Sequence, residues 1–242
     1  YSVPFTQMFP FPKSTVIYYP ETMKELTCQL PESLQRLANN IEMLATEEEI
    51  MGYLEQQRPI LLASHGWAIP GRASYASWIL QIGETQIAKG KGPTYGDDPQ
   101  TLGAEGYSMA RALLYLQLLQ QHTEFTWQPQ LSNKLICNYQ GLFIHIEEAK
   151  DWYMMPSVML RTKWDIKSVI LTLYKELDMK FVSMHIQSHQ IDNIPVARLS
   201  LESRLNVKAD RLATEFMTKD NTWRQIAKLL SWMHLLVWTS KN

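Results

Sequence analysis

The amino-acid pattern predicts an α/β fold in which a mixed, five-stranded sheet is flanked by helices. Two observations carry that expectation. Between residues 60 and 90 three apolar stretches follow one another with only turn residues between them, the signature of consecutive antiparallel strands. Beyond residue 100 an Ala- and Leu-rich helical segment is followed by alternating strand-like and helix-like segments, which builds parallel strands onto the first three.

The elements read in order as follows. Pro4, Pro10, Pro12 and Pro20, interspersed with Phe5, Phe9, Phe11, Tyr18 and Tyr19, suit an extended strap whose aromatics need a surface to cover them. From Pro31, Leu34, Leu37, Ala38, Ile41 and Leu44 recur at helical spacing. Thr46 and Glu49 form a capping-box pattern that opens a second helix through Leu54, and Arg58-Pro59 ends it. Ile60 to Ile69, Ala73 to Ile82 and Gln86 to Gly90 read as the three strands, punctuated by Pro70-Gly71 and Gly83. Gly90, Gly92, Pro93, Gly96 and Pro99 read as a loop before a long helix over Leu102 to Gln121. A short strand is predicted at Leu135 to Tyr139, a helix at Gly141 to Ala149, and another helix marked by Trp164, Val169, Ile170, Leu173 and Leu177. Phe181 to Ser188 alternates Val182, Met184 and Ile186 against Ser183, His185 and Gln187, as a strand with one buried face does. A last helix is expected from an N-cap at Asn206 through Phe216. The chain thus divides into a strap with connecting helices (1–58), a main domain (59–218) and an aromatic-rich helical tail (219–242) containing Trp223, Trp232 and Trp238. Those aromatic termini suggest docking onto the domain or onto a protein partner.

Composition bounds the function. With 45% apolar residues in 242 the chain can bury a sizeable core. Its 23 basic and 24 acidic residues nearly cancel, so any nucleic-acid site must be a local patch rather than a bulk attraction. Cys28 and Cys137 read as free thiols, which fits an intracellular compartment, and no apolar run is long enough to cross a bilayer, so no membrane is expected.

Several local motifs stand at telling points of this element order. Leu62-Ala63-Ser64-His65-Gly66 resembles the opening strand of the ribonuclease H family, with His65 where the family has Asp and Trp67 where it has a small residue. Ala104-Glu105-Gly106-Tyr107 resembles its Ala-Glu motif, and Glu105 heads a helix stripe with Met109, Ala112 and Leu116 that should face the sheet. Ile136 to Leu142 resembles the third motif, with Asn138 in the position of an Asp. His185 to Gln190 resembles the His-x-x-Gly-His segment, His189 matching the family's mobile-loop His, and Asn206 to Ala213 resembles the Asn-x-x-Ala-Asp-x-Leu-Ala helix, with Asp210 retained. In wording the chain looks most like the ribonuclease H-like domains attached to retroelement reverse transcriptases, over about two-thirds of its length.

The resemblance implies an RNA/DNA hybrid or other nucleic acid as partner, Mg²⁺ or Mn²⁺ as cofactor, and hydrolysis assisted by two metal ions. It places Glu105, Asp210 and His189 in catalytic positions, His65 and Asn138 at degenerate ones, and Glu105 and Asp210 as metal ligands with His65 as a third candidate. Two of four carboxylates are therefore replaced, and an imidazole cannot bridge two Mg²⁺ ions as a carboxylate does. The expected function is a hybrid-binding ribonuclease H-like domain with impaired catalysis. The alternatives are an active divalent-metal ribonuclease H, or an inactivated version of one, and a protein-interaction scaffold. Trp67, Trp78 and Tyr75 read as packing residues rather than base-stacking ones, and the Lys89 to Gly92 stretch as a solvated loop.

Overall fold

The computed structural model describes residues 23–28, 30, 32–69, 73–94, 101–123, 125, 132–150, 164–177, 179–187 and 194–219. The strap, the aromatic tail and His189 lie outside the described residues. Two short helices, α1 (Met23–Cys28) and α2 (Glu32–Ala38), precede strand β1 (Ile41–Met43) and helix α3 (Glu47–Glu55). Strands β2 (Ile60–Ile69), β3 (Ala73–Ile82) and β4 (Thr85–Pro93) follow, then helix α4 (Thr101–Thr123) and strand β5 (Asn133–Cys137). Helices α5 (Gln140–Lys150) and α6 (Trp164–Leu177), strand β6 (Phe181–His185), a 3₁₀ turn (Val196–Arg198) and helix α7 (Leu201–Lys219) complete the described chain.

The sheet has six strands in the order β1-β4-β3-β2-β5-β6, with β2, β3 and β4 antiparallel and β5 and β6 parallel to β2. The mixed sheet and the element order that the ribonuclease H resemblance implies are both present: three strands, a helix, a strand, helices, a strand and a helix. The strand count is not the expected five. Ile41 falls at helical spacing behind Leu34 and Leu37, but α2 stops at Ala38 and Asn40 turns the chain with φ 61°. Ile41, Glu42 and Met43 then pair with Gly90, Lys89 and Ala88 of β4, a long-range ladder invisible to local periodicity. The Thr46 capping box is present, Thr46 Oγ1 accepting from Glu49 N–H and Glu49 Oε2 accepting from Thr46 N–H.

Two further boundaries move for physical reasons. Strand β4 runs through the expected loop to Pro93, because Gly90, Lys91, Gly92 and Pro93 pair with Trp78, Ser77, Ala76 and Tyr75 of β3; Gly90 lies against Trp78, where a Cβ would fall closer than 3.0 Å to the indole. Helix α7 begins at Leu201 rather than behind Asn206: Ser200 Oγ accepts from Ser203 N–H at 3.1 Å, so Ser200 is the capping side chain and Asn206 lies within the helix.

Strand β2 is buried on both faces from Ile60 to Gly66, which explains its apolar opening from Ile60 to Ala63. Ile60 and Leu62 face the layer of α4 and α6 and join Leu37, Ile50, Leu113, Leu116 and Ile170 in the larger core. Leu61 and Ala63 face α7 and join Ile79, Ile136, Leu205, Ala209 and Leu212. Helices α1 and α2 pack on α4, so residues of the N-terminal segment share the larger core. Trp78 tilts against Tyr115 with ring centroids 5.2 Å apart, and Tyr75 meets Phe216 edge-on at 5.9 Å. These two aromatics are packing residues, as expected. The β6 alternation holds only in part: Ile186 is buried and Met184 half-buried, while Val182 is 52% exposed on this edge strand.

Candidate functional site

Strand alternation determines which groups meet at the end of β2. His65 shares the face of Leu61 and Ala63 and so turns toward α7, which carries Asp210. Gly66 turns the opposite way, toward α4, and its missing side chain makes room for helix backbone: a Cβ there would overlap Glu105 N and Ala104 C. The first turn of α4 can therefore lie directly on the strand, and Glu105 is fully buried beside His65. On the neighbouring strand Cys137 faces α4, in the larger core, and its thiol donates to Glu105 Oε2 at 3.3 Å.

The layers are fixed to each other at this point. His65 N–H donates to Ser108 Oγ at 3.1 Å, Ser108 Oγ donates in turn to the Ser77 carbonyl, and Ser77 Oγ donates to the Ala209 carbonyl at 2.6 Å. Helix α4, strand β3 and helix α7 are thus tied together around His65.

The imidazole sits between two carboxylates. Its Nε2 is 2.9 Å from Asp210 Oδ1 and its Nδ1 is 3.8 Å from Glu105 Oε1. The Asp210 contact is an ion pair by distance without the alignment of a good hydrogen bond. Burial disfavours the imidazolium, but the contact with Asp210 and the negative charges of Glu105 and Asp210 outweigh it, and the His65 pKa is raised. Burial pushes the Glu105 carboxyl up to about 7, against the opposing pull of His65, the Gly66 N–H and the Cys137 thiol. Burial also pushes the Cys137 thiol up, reinforced by Glu105, so this cysteine is a hydrogen-bond donor and not a nucleophile.

A cavity of about 360 Å³ opens beside this cluster, lined by His65, Trp67, Thr101, Asn138, Asn206 and Asp210 among others. Of the residues singled out from sequence, His65, Glu105 and Asp210 come together as a cluster, and Asn138 reaches only the cavity wall. His185 is exposed and its Nε2 contacts the Asn138 carbonyl at 3.2 Å, holding the turn after β5. Lys89 is tied to Glu42 at 3.1 Å. Sequence reading missed the Cys137 contact and carried the strand to Tyr139, whereas β5 ends at Cys137; the available signal was that Cys137 shares the strand face of Leu135, toward α4. It also placed Asn206 at a helix start, whereas its buried amide lines the cavity and its Oδ1 has no hydrogen-bond partner among the described residues.

The donor set does not suit a pair of Mg²⁺ ions. His65 already holds the space between Glu105 and Asp210, nitrogen is a poor ligand for this ion, and the Asn138 amide brings no charge. Among the described residues no group of three or more His, Cys, Asp and Glu side chains is arranged to hold a metal ion, and no helix is long and apolar enough to cross a membrane.

No family model matches the chain, and no curated protein matches it. Among solved structures it is similar to the ribonuclease H1 LC11, isolated from compost by a metagenomic approach, at 15% identity over 68% of this chain and 99% of that one, TM-score 0.45. It is similar to ribonuclease H1 of Halobacterium salinarum NRC-1 at 16% identity over 66% and 98%, TM-score 0.40. It is also similar to the prototype foamy virus protease-reverse transcriptase at 15% identity over 68% of this chain and 21% of that one, TM-score 0.46. Likenesses of this size concern general arrangement and carry no functional weight.

Proposed function

We propose that this chain is a ribonuclease H-like domain of the kind attached to retroelement reverse transcriptases, one that binds RNA/DNA hybrid and is impaired in cleaving it. The observation that carries the reading is the His65 ring lodged between Glu105 and Asp210. Sequence motifs more than a hundred residues apart converge on one cavity in the arrangement the resemblance implies, which supports the inherited site. The same convergence supports the impairment, because a raised-pKa imidazole supplies between the two carboxylates the positive charge that a metal ion would bring to such a cluster. Hydrolysis by this fold depends on divalent ions to generate hydroxide and stabilise the leaving oxygen, and neither His65 nor Asn138 can take over those tasks.

The test is cleavage of a labelled RNA/DNA hybrid in Mg²⁺ and in Mn²⁺. The wild-type chain is expected to bind the hybrid and leave the RNA strand intact, and the double variant His65→Asp/Asn138→Asp to cleave it. Wild-type cleavage that disappears in Glu105→Gln would overturn the impairment; absence of hybrid binding at low salt would overturn the nucleic-acid reading and favour a scaffold.

A further inference from the structure

Helix α7 presents one row of exposed side chains at Arg204, Lys208, Arg211, Glu215 and Thr218, spaced so that they share a single ridge. The first three are cations over about 10 Å of helix axis. None of them is in an ion pair with a described residue. Two acids of the helix are engaged elsewhere, Glu202 with Lys134 at 2.7 Å and Asp210 with His65 at 2.9 Å on the cavity side, and Glu215 stands on the ridge itself four residues beyond Arg211, one acid against three cations. Arg198 is exposed immediately before the helix and extends the same sign of charge.

This arrangement carries a local electrostatic cost. Like charges at Arg204 and Lys208, four residues apart, repel each other, while the acid that the positive end of the helix dipole favours is supplied separately by Glu202 in the first turn. In a chain of net charge -1 there is no general excess of cations to explain it. Local costs of this kind without a packing return point to an external polyanion. The cavity-lining residues Ser203, Asn206, Val207, Asp210 and Thr214 occupy the adjacent face of the same helix, so whatever enters the cavity is continuous with the ridge.

We propose that the Arg204-Lys208-Arg211 ridge of α7 is a second contact surface for the backbone phosphates of the RNA/DNA hybrid, holding a strand that runs past the cavity. This deepens the hybrid-binding reading and rests on it. The contacts are to phosphate and so carry no sequence preference.

The experiment measures hybrid affinity of the full chain by fluorescence anisotropy across a salt series. It compares wild type with Arg204→Gln/Lys208→Gln/Arg211→Gln and with the charge-conserving Arg204→Lys/Lys208→Arg/Arg211→Lys, folding being checked by circular dichroism melts. Loss of three phosphate contacts lowers the slope of log K against log salt by about 2 to 3, and each single glutamine variant lowers it by roughly 0.7 to 0.9. The charge-conserving triple retains the wild-type slope. An unchanged slope in the glutamine triple, with wild type binding, overturns the ridge alone; no hybrid binding by wild type at low salt overturns the reading beneath it.

Discussion

Replacing His65 by Asp tests whether the imidazole serves as a built-in counter-charge. In the wild-type chain the ring faces Asp210 at 2.9 Å and Glu105 at 3.8 Å, and its raised pKa favours the cationic form. A pair of charges about 4 Å apart is worth on the order of 4 kcal/mol at an effective dielectric of about 20. Asp210 is 40% exposed, so solvent screens its share to about 1 kcal/mol. Glu105 is fully buried, but its carboxyl already lies near 7 and escapes repulsion by taking a proton, which holds its share to about 2 kcal/mol. The Asp variant in chelator should therefore lose about 3 kcal/mol, a fall in Tm of roughly 6–12 °C for a domain of this size. Added Mg²⁺ should restore much of that loss in the variant and leave wild type unmoved, because only the variant offers a third carboxylate and an open gap. Thermal melts of both proteins, with chelator and with Mg²⁺, decide the matter. An Asp variant as stable as wild type in chelator would refute the counter-charge role, and a wild-type Tm that climbs with Mg²⁺ would refute the exclusion of the ion.

Other expectations concern titration and packing. Because folding raises the Glu105 pKa from 4.5 to about 7, the native state holds a proton the unfolded state has released, and stability falls as pH rises through that window. His65 acts in the same direction: its contribution is complete below 6.5 and is lost as pH rises through its higher folded value. Urea midpoints against pH should accordingly decline on the neutral side, and Glu105→Gln should flatten the limb between 4.5 and 7; an unaltered limb would contradict the assignment. Gly66→Ala drives a methyl group into the backbone of α4, which is worse than ordinary overpacking at about 1–3 kcal/mol, so its urea midpoint should drop sharply if the close approach is real. Leu37→Ala should cost about 2–5 kcal/mol in a single cooperative transition, since Leu37 is buried in the core shared with α4; a main-domain melt untouched by the change would show that the N-terminal segment folds separately.

Much of the fold was legible because its signals are local. The turn at Gly83, the strand runs on either side of it and the Ala/Leu-rich α4 follow from period and punctuation within short windows. Strand β1 was not legible, since Ile41 and Leu44 continue the helical spacing of Leu34 and Leu37, and Ile41 to Met43 become a strand only through β4. The helix start at Ser200 was overlooked although Ser200-Leu201-Glu202-Ser203 is a serviceable capping sequence; Asn206, a favourable N-cap residue, drew the boundary six residues on. For the site, residue types and motif order identified His65, Glu105 and Asp210, yet the contact between His65 and Asp210 depends on which face of β2 the ring takes, a matter of strand parity and of what Gly66 leaves empty.

Strand β1 has a consequence for how shortened versions of the chain would behave in solution. It is only three residues long, yet it covers part of the outer rim of the nine-residue β4, and Glu42 and Lys89 place an ion pair across the join. Removing residues before 59 would strip that cover and expose a row of unpaired amides and carbonyls beside newly uncovered apolar surface on α4. Such a bare rim recruits the corresponding rim of another molecule, so a fragment trimmed to the expected 59–218 boundary should self-associate and precipitate, whereas one beginning ahead of Met23 should stay dispersed.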